Sequence, residues 1–347
     1  MRPTHRSIHA SAPTRIDLAG GTLDIWPLNL LVERAVTVNV AIDRRAHVTV
    51  SASAESQHRI RAEDIDREVV VPVVPEPAAT GGTRQTELPL HEAALRHTAP
   101  TMPLRIVTRS DVPAGSGLGG SSALAVCLLA ALRAQTGAGA DAALLAPLAR
   151  DIEAGVLQVP TGTQDHLAAL HGGMAAIEYG PGLARREALP TDTAAFEARG
   201  VLVYLGASRA SATSNWDMVR RALDKDAATR RGLTAIAAIA CAMRDTLARG
   251  DLEGVARLLD AEWQERRGLS PQVSTPDAER AIATAKKAGA VGGKICGAGG
   301  GGCLFVMGPA DARDRVAADL EQAGFAMLDF HVDARGLLVG VEDDGVA

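Results

Sequence analysis

Asp111-Val-Pro-Ala-Gly-Ser-Gly-Leu-Gly-Gly-Ser-Ser122 separates a strand-like run, Pro103–Ser110, from an apolar helical run, Ser121–Gln135. Glycines allow close backbone approach to an anion, and a helix N-terminus presents free N–H groups at a positive dipole end. Ser121 and Ser122 add hydroxyls suited to a phosphate or to Mg²⁺. A turn with a serine cap needs fewer glycines than Gly115, Gly117, Gly119 and Gly120 supply, so the segment reads as a phosphate loop. Gly115, Gly117 and Gly120 fit G-x-G-x-x-G, but a dinucleotide fold requires a parallel strand after the helix. A second helical stretch, Asp141–Leu157, follows instead, with Asp141 as its N-cap and Pro147 marking a kink or its true start. The chain also lacks G-x-x-x-x-G-K-[ST].

Two more glycine segments flank this loop in sequence. Gly292-Gly-Lys-Ile-Cys-Gly-Ala-Gly-Gly-Gly-Gly302 leads into an apolar strand, Cys303–Met307. So many glycines carry a large entropic cost, which implies close approach of another group. Ala12-Pro-Thr-Arg-Ile-Asp-Leu-Ala-Gly-Gly-Thr-Leu-Asp24 ends a strand in Gly-Gly just before an acid. By itself that is a turn with a solvated aspartate.

Around these segments the first part of the chain reads as β: Ile8–Ala19, Ala35–Ile42, Arg45–Ser53 and Arg67–Val74 are rich in Val, Ile and Thr. Glu76–Glu87 reads as a surface loop and Leu88–Thr98 as a helix. Beyond a buried-strand pattern at Val201–Leu205, helical spacing covers Asn215–Arg249, Asp251–Arg267 and Pro276–Ala288. A helix over Pro309–Gln322 and strands at Phe325–Asp333 and Gly336–Val341 close the chain. The pattern predicts an α+β protein of two domains, with the boundary between Gly180 and Gly200.

The 347 residues are 47% hydrophobic and 22% charged, the composition of a globular chain rather than a disordered one. The longest clean apolar run, Ala123–Leu132, is too short to span a bilayer, and Met1–Ala10 lacks the apolar core of a signal peptide. A net charge of −5 and only 3% aromatics argue against a nucleic-acid partner. Cys127, Cys241, Cys296 and Cys303 include no C-x-x-C pair, so a reduced, cytoplasmic protein is expected.

Taken together, in order and spacing, the three glycine segments resemble the GHMP kinases, named for galactokinase, homoserine, mevalonate and phosphomevalonate kinases. Pro113, Gly117, Leu118, Gly119, Gly120, Ser121 and Ser122 match the family's phosphate-binding signature, with Gly120 where many members carry serine. Arg15 and Asp24 have the spacing of the first motif of its sugar kinases, of the heptose-7-phosphate kinase and fucokinase type. Trp263–Ser274 and Gly206–Ser211 are similar to that branch as well, whereas Thr22-Leu-Asp-Ile-Trp-Pro27 departs from the usual trio around the sugar aspartate.

The resemblance implies a two-domain GHMP kinase fold, with a ribosomal S5 domain 2-like N-terminal domain over 1–190 and a ferredoxin-like C-terminal domain over 191–347. It implies ATP and Mg²⁺ as cofactors and a small-molecule sugar or sugar phosphate as partner. Nucleotide binding falls to Pro113, Gly115, Ser116, Gly117, Leu118, Gly119, Gly120, Ser121 and Ser122. Mg²⁺ falls to Ser122 and Glu153, a hydroxyl and carboxylate pair suited to a hard cation. Asp165, twelve residues after Glu153 in sequence, is the expected catalytic carboxylate, with Arg15 beside it to stabilise developing charge. Asp24, Gly21, Thr22, Asp165, Arg209, Gly299 and Gly300 are expected around the acceptor, Arg209 as a contact for a substrate phosphate. His166 and His171 read as structural, since their spacing is poor for a metal. A phosphorylating decarboxylase of the same superfamily and a non-catalytic ligand binder are the alternatives. The Asp24 signature opposes the first, and the Glu153, Asp165 and Ser122 set opposes the second.

Overall fold

The computed structural model describes residues 6–73, 86–139, 141–182, 184–208 and 211–343. Two antiparallel strands form the spine of the larger sheet: β1 (Arg6–Ala19) and β2 (Ala35–Ala52). β2 joins the two strands expected at Ala35–Ile42 and Arg45–Ser53. The polar pair Asp43-Arg44 is a bulge, where the register with β1 jumps between Pro13↔Arg45 and Thr14↔Ile42. This bend lets β2 serve two neighbours.

Its second half pairs with β5 (Leu104–Ser110), and beyond it lie β3 (Gln57–Ala62) and β4 (Arg67–Pro72). Its first half pairs with β6 (Met174–Tyr179), which in turn pairs with β7 (Arg185–Ala188). α1 (Pro89–Thr98), α2 (Gly120–Gln135), α3 (Ala142–Leu157) and α4 (Gln164–His171) belong to this part of the chain. α2 is apolar on all sides because it is buried against β1, β2 and α3, with Ala123 and the run Ala125–Leu132 inside the core. Asp141 caps α3 as expected, accepting from the Ala143 N–H at 2.9 Å, and Pro147 lies within the helix rather than at its start.

The smaller sheet runs β11-β8-β10-β9 and is fully antiparallel. Its strands are β8 (Gly200–Tyr204), β9 (Gly292–Ile295), β10 (Cys303–Met307) and β11 (Ala326–Leu328). Both faces are buried. On β10, Leu304 and Val306 pack with α9 (Pro276–Lys287) and α10 (Arg313–Gln322), while Phe305 and Met307 face α7 (Ala227–Ala248) and α8 (Leu252–Leu269). α7 and α8 also cover Ile16, Leu18, Val36, Val38 and Val40 of the larger sheet, so one core joins the two halves.

Three expectations change. The helix expected over Asn215–Arg249 is two, α6 (Ser211–Leu223) and α7, because Lys225 turns left-handed (φ 62°) and Asp226 caps α7 by accepting from Thr229 N–H at 2.7 Å. The glycine cluster begins as a strand, β9. The closing strand β12 (Leu338–Asp343) departs from the unit expected over 191–347: it pairs with β1, at the edge of the larger sheet. α5 (Thr193–Glu197) lies in the connection between the two sheets. Among the described residues, no helix is long and apolar enough to cross a membrane.

Candidate active site

A cleft of about 440 Å³ is walled by the end of β1, the loop before α2, the N-terminus of α4 and the β9–β10 loop. Gly119, which lines the cleft, forms the N-cap of α2 in a left-handed conformation (φ 76°), and no side chain among the described residues caps the helix's first N–H groups.

The glycines of the two loops serve one another. A Cβ on Gly117 (φ +74°) would lie 2.5 Å from the Cys296 carbonyl oxygen, and one on Gly297 would lie 2.7 Å from the Gly117 carbonyl oxygen. At Gly297 and Gly302 the close approach that the second cluster requires is therefore the first loop's backbone. Cys303 N–H completes the junction, donating to Ser116 O at 2.6 Å.

β1 delivers Arg15 to the cleft floor. Its guanidinium is buried and donates to both carboxylate oxygens of Asp165, each at 2.7 Å, while Nη1 donates to Gly117 O at 2.5 Å. Despite its burial, the nearby carboxylates Asp165 and Asp17 raise the Arg15 pKa, so it remains a cation. Asp165 sits in the first turn of α4, where the helix dipole favours a carboxylate.

Glu153, on α3, is buried beside the N-terminus of α2. Ser121 Oγ and Ser122 Oγ both donate to it, Ser122 at 2.7 Å, and His166 Nε2 lies 3.1 Å from its carboxylate. Burial pushes the Glu153 carboxyl up, but His166 and the two hydroxyls outweigh this and hold it below the ordinary glutamate value. The donor set, a carboxylate and two hydroxyls, fits a hard divalent cation.

Asp24 has a different environment. Its Oδ2 accepts from Gln164 N–H at 3.2 Å, and among the described residues no cation forms a salt bridge with it. Burial and then the charge of Asp165 push its pKa up to about 8. Gln164 also donates from Nε2 to Gly21 O at 3.2 Å, tying the Asp24 turn to the start of α4.

The cleft thus brings together Arg15, Gly21, Asp24, Pro113, Gly115–Gly117, Gly119–Ser122, Glu153, Asp165 and Gly299. Three expected residues do not face it. Leu118 is buried in the core between the sheets, because its neighbours supply the loop's backbone surface while its side chain anchors it. Thr22 is buried, and its hydroxyl accepts from Arg266 Nη1 instead of facing an acceptor. Gly300 donates its N–H to Val273 O at 2.9 Å. Arg209 lies outside the described residues.

Several residues escaped the sequence reading. His166, read from sequence as structural, is buried beside Glu153. Arg266 reads in sequence as an ordinary cation at a helix C-terminus, yet it reaches the cleft. Lys294 is fully buried between Asp17 Oδ2 at 2.9 Å and Glu262 Oε2 at 3.1 Å, behind the cleft floor. A lysine inside a glycine cluster was its only signal.

Known proteins share its sequence pattern and its fold. Over 344 residues the chain is 26% identical to the D-glycero-alpha-D-manno-heptose 7-phosphate kinase of Campylobacter jejuni, covering 96% of this chain and 98% of that one. It is 28% identical to the galactokinase of Mycobacterium bovis, with 91% and 93% covered. The crystal structure of a D-glycero-D-manno-heptose 1-phosphate kinase from Bacteroides thetaiotaomicron superposes with a TM-score of 0.75 at 22% identity, over 96% of this chain and 98% of that one. The GHMP kinases N terminal domain matches residues 89–173, which hold the glycine loop, Glu153 and Asp165, and the GHMP kinases C terminal domain matches 243–326, which hold the second glycine loop. Both GHMP kinase domain models thus match in chain order, with the loops they hold interlocked at Gly117 and Gly297.

Proposed function

We propose that this protein is an ATP-dependent kinase that transfers the γ-phosphate to a hydroxyl of a sugar or sugar phosphate. The observation that carries the reading is the Arg15–Asp165 pair beside Asp24, in one cleft with the glycine loop and Glu153. The heptose phosphate kinase and galactokinase relatives support a sugar rather than another alcohol as the acceptor.

Phosphoryl transfer is mostly positioning and charge stabilisation. The loop Pro113–Ser122, with its backbone N–H groups at the N-terminus of α2, cradles the nucleotide phosphates. Glu153 and Ser122 would hold Mg²⁺, which supplies charge neutralisation on the phosphates. Asp24 orients the acceptor by hydrogen bonds to its hydroxyls. Asp165 holds the attacking hydroxyl and accepts its proton, and Arg15 fixes that carboxylate while opposing the charge that develops beside Gly117.

With this reading go a division into domains 1–190 and 191–347, the closing strand returning to the first, and a cytoplasmic location, to which four unpaired cysteines are suited. Incubation with ATP–Mg²⁺ and a panel of sugars and sugar phosphates, scored for ADP, tests it. ADP release that depends on one sugar class is expected. Release of CO₂ would mark decarboxylation, and a ligand-induced thermal shift without turnover would mark a binding protein. Either would overturn the kinase assignment.

A further inference from the structure

Arg266 stands in the last turn of α8, only 3% exposed, and its fork is divided between two loops. Nη1 donates to Thr22 Oγ1, in the turn that ends at Asp24. Nη2 donates at 2.8 Å to the carbonyl of Gly297, the residue whose backbone bears on Gly117. Both partners are neutral oxygens. Its charge is offset by Asp17, whose carboxyl is held below its ordinary value by Lys294 and Arg266 against the opposing effect of burial. An arginine kept only for ion pairing would direct its fork at the carboxylate. Here the planar fork spans a hydroxyl on the acceptor side and a carbonyl on the donor side.

We propose that Arg266 is a positioning residue: it clamps the Gly20–Asp24 turn to the Gly297 loop, and so sets the placement of the acceptor against the phosphate loop. It acts through these two loops. The inference rests on the reading above, in which Asp24 holds the acceptor and the Gly117 loop holds the nucleotide. A lysine has a single point of attachment and cannot span both oxygens in one plane. Thr22, whose buried hydroxyl has Arg266 as its donor, reports one arm of the clamp alone.

The test uses Arg266→Met, Arg266→Lys and Thr22→Val in the full chain, with steady-state kinetics and amide hydrogen exchange read on segments 20–25 and 296–302. Arg266→Met is expected to lose protection in both segments, to raise the acceptor KM, and to lower kcat by about 10²-fold, the scale of a small misplacement of reacting groups. Arg266→Lys should recover little of this. Thr22→Val should loosen segment 20–25 alone and raise the acceptor KM with the ATP KM unchanged. Wild-type KM and kcat in Arg266→Met, or a lowered melting temperature with neither segment loosened, would overturn the clamp. Should Arg266→Met fail to fold, Thr22→Val decides: unchanged acceptor KM and exchange would overturn it equally. A wild-type protein that phosphorylates no acceptor would sink the kinase reading, and the exchange data would still decide the clamp.

Discussion

Arg15 and Asp165, 150 residues apart in the chain, share two parallel hydrogen bonds of 2.7 Å, and the same guanidinium donates to the Gly117 carbonyl oxygen. One side chain therefore ties the carboxylate to the glycine loop. Asp165→Asn keeps the shape but removes the charge and the proton acceptor. Its kcat should fall by about 10²–10⁴-fold with the ATP KM little changed. Arg15→Lys, which loses the fork, should also lower kcat. A full-rate Asp165→Asn enzyme would mean that this carboxylate only holds Arg15 in place.

Glycine substitutions should separate the loops from ordinary helix. At Gly117 a Cβ meets the Cys296 carbonyl oxygen at 2.5 Å, and φ is +74°, where an L-residue is strained by about 1–2 kcal/mol before any clash. Gly117→Ala should therefore lower stability and weaken ATP binding together. Gly155, inside α3, has open space at its Cβ, and Gly155→Ala should raise stability by about 0.5–1 kcal/mol. Urea unfolding of both variants and nucleotide titration check this. Normal ATP affinity in Gly117→Ala would place the phosphate loop elsewhere.

Asp24 should make stability depend on pH. Its carboxyl is protonated in the fold up to about pH 8, against an ordinary value of 3.8 in the unfolded chain. Below the ordinary value both states are protonated and the group contributes nothing. Between the two values the unfolded chain releases the proton and the fold does not, so stability is lost with rising pH, by about 1.4 kcal/mol per unit. Above pH 8 the penalty is complete. Asp24→Asn removes it, so the variant's advantage in urea unfolding should widen from pH 4 to pH 8. A constant difference would show that Asp24 is ionised in the fold. The same variant should raise the sugar KM strongly.

Glu153 behaves in the opposite sense. Its carboxyl is held below the ordinary 4.5, so its stabilising contribution is present at neutral pH and is lost as pH falls below that value. Glu153→Gln should flatten the acid limb of the stability profile and raise the Mg²⁺ concentration needed for half-maximal rate. An unchanged Mg²⁺ requirement would remove Glu153 from the metal site.

The buried triad behind the cleft offers a further check. Lys294→Met leaves Asp17 and Glu262 facing one another with no exposure to water, and should destabilise the protein by about 3–5 kcal/mol. Restoration of stability in a Lys294→Met, Asp17→Asn, Glu262→Gln triple variant would assign that loss to unpaired charge. No restoration would assign it to packing.

Much of the site was legible in the sequence because its signals are local. Glycines crowded before an apolar helix, an acid after a glycine turn and a carboxylate near the end of a helix each depend on a few adjacent residues, and the structure brings Gly117, Asp165, Glu153 and Asp24 to one cleft. Local signals did not say what each glycine is for. The constraint on Gly117 is the carbonyl of Cys296, a contact created only when the two sheets dock. Nor could spacing distinguish Thr22 and Leu118, which turn inward, from their neighbours that face the cleft, because that depends on what packs behind them. Hydrophobic pattern gave strands but not partners: Leu338–Asp343 has the character of a strand in either sheet, and pairing with β1 is decided by where the chain returns. Arg266 had no legible signal, and Lys294 only its place inside a glycine cluster. A cation in a helix's last turn and a lysine among glycines acquire their roles from oxygens distant in sequence, Thr22 and Asp17 among them, which tertiary folding places within reach and shields from water.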